Sequence, residues 1–170
     1  MVIHSCIMMT AKELYVQTVT NELPIFKRVF EAVPNTNTDY KPDPKSKTAM
    51  EILATLAGEA FAVKAVAETG MFDFSKMPES KPLSKEDAYA LLEKTMGEVK
   101  AIVSAMPDAK WDSEATLLGG KTPWKAPLGS MLWMFMHDAI HHRGQISTHL
   151  RAMGGKVPSI YGPSADSGEM

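Results

Sequence analysis

Residues 137–151 read HDAIHHRGQISTHLR and hold four of the chain's five histidines. At about 100° per residue on an α-helix, Leu132, Phe135, Ala139, Ile146, Leu150 and Met153 gather into one apolar sector. The stretch is therefore predicted to belong to a core helix. Pro127 suits the first helical position, and Gly154-Gly155 ends the helix after about Met153. On the same wheel Asp138 and His142, four apart, flank the apolar sector together with Gln145, whereas His137 and His141 point away from it. His149 lies on the inward side about two turns further on. Residues at i and i+4 stack on one helix face at a separation suited to neighbouring metal ligands, so Asp138 and His142 form the candidate inward pair. Arg143 and Gln145 are expected to tie helix ends and loop carbonyls together, and Gly144 to permit close helix approach.

Three further amphipathic segments precede this one. Tyr15, Val19, Leu23, Phe26, Phe30 and Val33 recur at three and four, predicting a helix from about Ala11 to Val33 behind the cap Thr10. Pro24 interrupts its hydrogen bonding, so a kink or restart is expected there. Thr48 with Glu51 is a capping box, and Gly70 suits a left-handed cap, which frames a second helix over 49–69. Its stripe of Ile52, Leu53, Leu56, Ala60, Val63 and Ala67 contains one charged residue, Glu59, with Thr55 at its border. A carboxylate in that position either snorkels out at the bundle edge or faces something that needs it. Ser84 with Asp87 opens a third helix that continues to Pro107. The proline-rich segments 34–47 and 71–83 are connections. In the link 107–127, Trp111 and Trp124 are expected to anchor the chain to the helices, with a small hairpin about Gly119-Gly120. No other strand of convincing length is predicted. Four apolar stripes of similar length imply an all-α four-helix bundle, with connections long enough for an order other than simple up-and-down.

Composition narrows the function. The chain has 170 residues, 45% of them hydrophobic, enough for one well-filled core in a single domain over 1–170. A formal net charge of -2, with Lys and Arg dispersed, gives no footprint for nucleic acid. No window approaches the roughly 18 apolar residues of a membrane span, and residues 1–9 lack a basic signal-peptide start. The single cysteine, Cys6, excludes an internal disulfide and fits a cytoplasmic protein. Trp133, Met136, Ile140 and Gly144 fall on other sides of the last helix, a surplus of apolar surface that points to a homodimer contact.

The run His141-His142-Arg143-Gly144-Gln145-Ile146, followed by Leu150 to Gly155 and then KVPSIYGPSAD at 156–166, resembles the last helix and tail of the DinB-like superfamily of four-helix metalloproteins. The segment SKTAMEILATLAGE at 46–59 resembles that family's second helix. The resemblance implies a bundle of unusual connectivity, commonly a dimer, and a divalent metal, often nickel or zinc, held by three histidines. Matched position by position, the family ligands fall on His142, Asp138 and Thr55, so one imidazole is kept and two are replaced. Asp138 can ligate through oxygen, while Thr55 is a poor neutral ligand. Glu59, one turn on, could substitute. His141 or His137 could be recruited by a local shift of the helix, or the site is empty and Asp138 pairs with His142.

The resemblance further implies a thiol-dependent transferase, isomerase or hydrolase whose metal activates a thiol or water, with a small molecule or thiol as substrate. The competing expectation is a metal-free binding or stress-response module that keeps the fold without catalysis. A third is a regulatory scaffold acting through its dimer face.

Overall fold

The computed structural model describes residues 9–77 and 83–168. His4, Cys6 and nearly all of the expected 1–9 leader lie outside the described residues. In chain order the elements are α1 (Ala11–Ala32), α2 (Ala49–Thr69), β1 (Met71–Asp73), a 3-10 turn (Phe74–Lys76), α3 (Lys85–Ala105), the single-turn α4 (Asp108–Trp111), β2 (Glu114–Leu118), β3 (Trp124–Pro127) and α5 (Leu128–Leu150). α5 is the predicted histidine helix. It stops at Leu150, and residues 151–154 continue as turns, with Gly154 at φ 88° and the Gly155 N–H bonded to the Leu150 carbonyl at 2.8 Å.

Local chemistry sets the helix starts as expected. Thr10 with Glu13 and Thr48 with Glu51 form reciprocal capping boxes, Ser84 accepts from the Asp87 N–H, and Gly70 closes α2 at φ 74°. α1 runs through Pro24 as one helix. The long helices pack as a ring in which α1 meets α3 and α5, and α2 meets α3 and α5. The consecutive helices α1 and α2 therefore stand across the bundle from each other. The extended connection 33–48 is long enough to make that crossing, and it returns the chain beside the C-terminal half of α5.

The Gly119-Gly120 hairpin forms, pairing Leu117 with Trp124 and Thr116 with Lys125 in antiparallel register. β1, which was not expected, adds in parallel to β2, with Phe72 opposite Leu117. Strands of 3 to 5 residues are too short to display a period, so only the glycine turn was visible beforehand.

Packing corrects several expectations. Trp111 is buried, stacking near Tyr15 at 5.8 Å, but Trp124 is 46% exposed, because β3 is an edge strand. A Cβ on Gly144 would meet open space, whereas one on Gly129 would stand 2.2 Å from the Trp111 ring, so Gly129 is the glycine of close approach. Met136 is buried in the core, since the first half of α5 is covered on several sides by α1, α4 and the sheet. Trp133 and Ile140 are half-buried against the same core, and Trp133 meets Tyr15 edge-on at 5.4 Å. Part of the surplus apolar surface on α5 is thus consumed within the chain.

Arg143 does not tie loop carbonyls. Only 2% exposed, it donates through Nη1 to Glu22 Oε2 on α1 and through Nη2 to the Tyr161 hydroxyl at 2.6 Å, and its guanidinium lies 4.9 Å from the Phe26 ring centre. Tyr161 in turn donates to Glu22 Oε1 at 2.7 Å. The tail crosses the bundle here, with Val157 and Ile160 partly buried, although the Tyr161 ring, expected to bury, stays exposed and only its hydroxyl reaches inward. Because deleting one member leaves a buried unpaired charge, Arg143→Ala should cost about 3–5 kcal/mol in urea unfolding. The double change Arg143→Met with Glu22→Leu should recover most of that loss. A single-variant loss below about 1 kcal/mol would show that the pair does not hold α1 to α5.

Candidate metal centre

α2 and α5 lie side by side, and the charged residue in the α2 stripe meets the inward pair of α5. Glu59, Asp138 and His142 each offer a ligand atom, all within 4.8 Å of one another. His142 Nε2 stands 3.6 Å from Glu59 Oε1 and 3.6 Å from Asp138 Oδ2. The side chains are 15%, 20% and 42% exposed for His142, Glu59 and Asp138, so the group sits in the wall of the bundle and opens to solvent on the Asp138 side. Glu59 does not snorkel away. Its Oε2 is buried without a hydrogen-bond partner among the described residues, an arrangement that costs free energy unless a further group is bound there.

The remaining polar contacts orient the imidazole. Gln145, one turn along α5, places its carbonyl oxygen 2.8 Å from His142 Nδ1. An amide oxygen only accepts, so Nδ1 carries the proton and Nε2 turns its lone pair toward the two carboxylates. The Gln145 amide nitrogen stands 3.1 Å from His141 Nε2. Gln145 was expected to be structural. Its role at the site could have been found from its position three residues after His142, where side chains share a face.

The structure does not bring Thr55 into this group. Its hydroxyl donates to the Glu51 carbonyl at 2.9 Å and accepts from the Lys47 ammonium at 2.8 Å, one turn short of Glu59. His137 stacks on Trp133 and His141 faces outward, so neither joins the cluster. His149 is buried with both ring nitrogens facing carbonyl oxygens, that of Gln145 at 2.7 Å and that of Lys47 at 3.2 Å, and it pins the end of the 33–48 connection to α5.

The donor set suits a divalent ion. Metal–oxygen and metal–nitrogen bonds of about 2.0–2.2 Å place adjacent ligand atoms roughly 3–3.5 Å apart, close to the spacing seen here. Burial, and then the negative charge of Asp138, push the Glu59 carboxyl up from 4.5 to about 7, with His142 and Lys47 opposing. Two carboxylates crowded about one imidazole are ready to exchange a shared proton for a cation.

A family model for the DinB family matches residues 69–169 of this chain. Among solved structures, the DinB-like protein YjoA from Bacillus subtilis is 18% identical with a TM-score of 0.65, the match covering 89% of this chain and 99% of that one. YfiT from Bacillus subtilis, described as a probable metal-dependent hydrolase with an unusual four-helix bundle topology, is 18% identical with a TM-score of 0.66, covering 85% of this chain and 89% of its own. No curated protein matches the sequence. No helix among the described residues is long and apolar enough to cross a membrane.

The raised Glu59 pKa gives the metal-free protein a pH signature. Since the folded state holds the Glu59 proton more tightly than the unfolded chain, this residue's contribution falls as pH rises from 4.5 to about 7 and stays unfavourable above that. Glu59→Gln should therefore be more stable than the parent at about pH 8 in urea unfolding with EDTA, and should flatten the decline across this window. Equal stability of the two proteins at about pH 8 would contradict the buried, crowded state of Glu59.

The family match spans more than half of the chain, and the protein belongs to the DinB family.

Proposed function

We propose that this chain is a metal-dependent enzyme of the DinB family, with Glu59, Asp138 and His142 holding one divalent ion and a small molecule as substrate in a hydrolytic or thiol-transfer reaction. The observation that carries the reading is the cluster itself: three ligand atoms within 4.8 Å of one another, one carboxylate oxygen buried and unpartnered, and an imidazole whose other nitrogen is already committed. The description of YfiT as a probable metal-dependent hydrolase adds support at the level of the fold. Glu59 stands where Thr55 cannot serve, one turn along the same helix face.

A bound divalent ion would supply Lewis acidity, lowering the pKa of a water or thiol so that a nucleophile is available near neutral pH. The chain's own residues do the rest. Gln145 keeps the His142 lone pair aimed at the centre, and the apolar wall of Leu56 and Ala60 limits water on the core side. Two carboxylates neutralise a divalent charge, which three imidazoles would leave intact. The ion would then polarise its ligands less strongly than in a three-histidine site, and oxygen ligands move preference toward harder ions such as manganese beside zinc and nickel.

A metal-free reading keeps one observation in its favour, since a protonated His142 pairs with both carboxylates by itself. Metal analysis and thermal melting separate the two. Zinc, nickel or manganese should bind stoichiometrically and raise Tm by several degrees through preferential binding to the native state. His142→Ala should abolish the rise, and Gln145→Leu should weaken binding about tenfold or more while leaving the metal-free Tm nearly unchanged. An unaltered Tm in all three metals, with none retained after gel filtration, favours the metal-free module. We also propose a homodimer through the half-buried Ile140 side of α5. Sedimentation should show a dimer that Ile140→Glu converts to monomer, and a monomeric parent protein removes this proposal.

A further inference from the structure

The core void behind Glu59, bordered by Tyr15, Phe26 and Phe135, has room for about 30 Å3, no more than a water. A much larger cavity of about 360 Å3 lies on another side of the centre, between the 33–48 connection and α5. Its walls include Lys45, Ser46, Lys47, His142, Gln145 and His149. This volume is within the range of small-molecule sites. His142 belongs at once to this cavity and to the metal centre, so a ligand seated in it lies against the centre.

The charges of the cavity are one-sided. Lys12, Lys41, Lys64 and Lys125 are each paired with a carboxylate, but among the described residues neither Lys45 nor Lys47 has a carboxylate oxygen within 4.0 Å of its ammonium. The neighbouring Asp43 accepts from the Lys45 main-chain N–H at 2.8 Å. The Lys47 ammonium rests on the Thr55 hydroxyl, one turn from Glu59, and retains donors beyond that single bond. His149 holds the Lys47 carbonyl, so the main chain that presents this lysine is fixed to α5.

We propose that this cavity binds the oxyanion group, carboxylate or phosphate, of a small anionic substrate, with Lys45 and Lys47 holding the anion and its reacting end directed to His142. The assignment rests on the proposed metal centre and names the substrate class for it. Glu59 and Asp138 repel an anion, whereas a divalent cation between them cancels that repulsion, so anion binding and metal binding reinforce one another. Lys47 acts with opposite sign on the two ligands: its charge attracts the anion and opposes the cation.

The test is calorimetric titration of the full chain with inorganic phosphate and, separately, succinate, at constant ionic strength, with zinc loaded and with EDTA. One of the two anions should saturate the zinc-loaded protein and bind more weakly without zinc, and which one identifies the group recognised. Lys47→Gln should weaken the anion about fivefold or more while leaving zinc affinity unchanged or higher, a pairing that a folding defect does not produce. Lys45→Gln should weaken the anion alone, and Lys94→Gln on the distant α3 should change neither. If zinc binds and neither anion does, the cavity assignment fails and the metal centre stands. The assignment also fails if Lys94→Gln and Lys47→Gln weaken the anion equally, or if Lys47→Gln weakens zinc. If zinc, nickel and manganese all fail to bind, the centre fails, and the cavity assignment survives only where anion binding to the metal-free protein is lost in Lys47→Gln; absence of that binding overturns it.

Discussion

The buried pair between Arg143 and Glu22 is the constraint from which the functional geometry follows. A guanidinium and a carboxylate removed from water are tolerated only if each finds the other, and here α5 meets α1 in one rotational setting. Arg143 follows His142 directly, so with about 100° between successive residues the pairing of Arg143 toward α1 turns His142 toward α2. Asp138, one turn earlier, is carried to the same side. The rotation that buries one charge pair therefore delivers two of the candidate ligands to the third.

The ring order of the helices provides the rest. α1 and α2 stand diagonally, so α5 has α1 on one flank and α2 on the other. In an up-and-down bundle those two helices would be neighbours. The crossing has a second consequence: it lays residues 40–47 against the C-terminal half of α5, where Tyr40 meets His149 edge-on at 5.7 Å and the Lys47 carbonyl faces its ring. One connection thus both permits the topology and walls a cavity beside His142.

Electrostatics at the centre follow from what replaced what. Two carboxylates and one imidazole form a site that is negative when empty, in contrast to the neutral three-histidine set implied by the family resemblance. Burial, and then the charge of Asp138, places the proton of Glu59 near neutrality and makes cation and proton competitors for the same oxygens. Lys45 and Lys47 line a cavity that shares His142 with this negative group.

The helices and their faces are legible in the sequence, because 3.6-residue periodicity, the capping box at Thr48, the N-cap at Ser84 and the glycine stop at Gly70 are local properties. It also determined that Asp138 and His142 share a face and that Glu59 interrupts an apolar stripe. Packing alone brings those faces together, turns Glu59 inward rather than to solvent, sets Gln145 against His142, and joins Arg143 to Glu22. Glu22 drew no notice because it shares the face of Tyr15, Val19 and Phe26 yet reads locally as one charged residue among helix polar groups. Contacts such as Arg143 to Glu22, 121 residues apart in sequence, depend on how helices are ordered and rotated about one another, and no local period or cap encodes that.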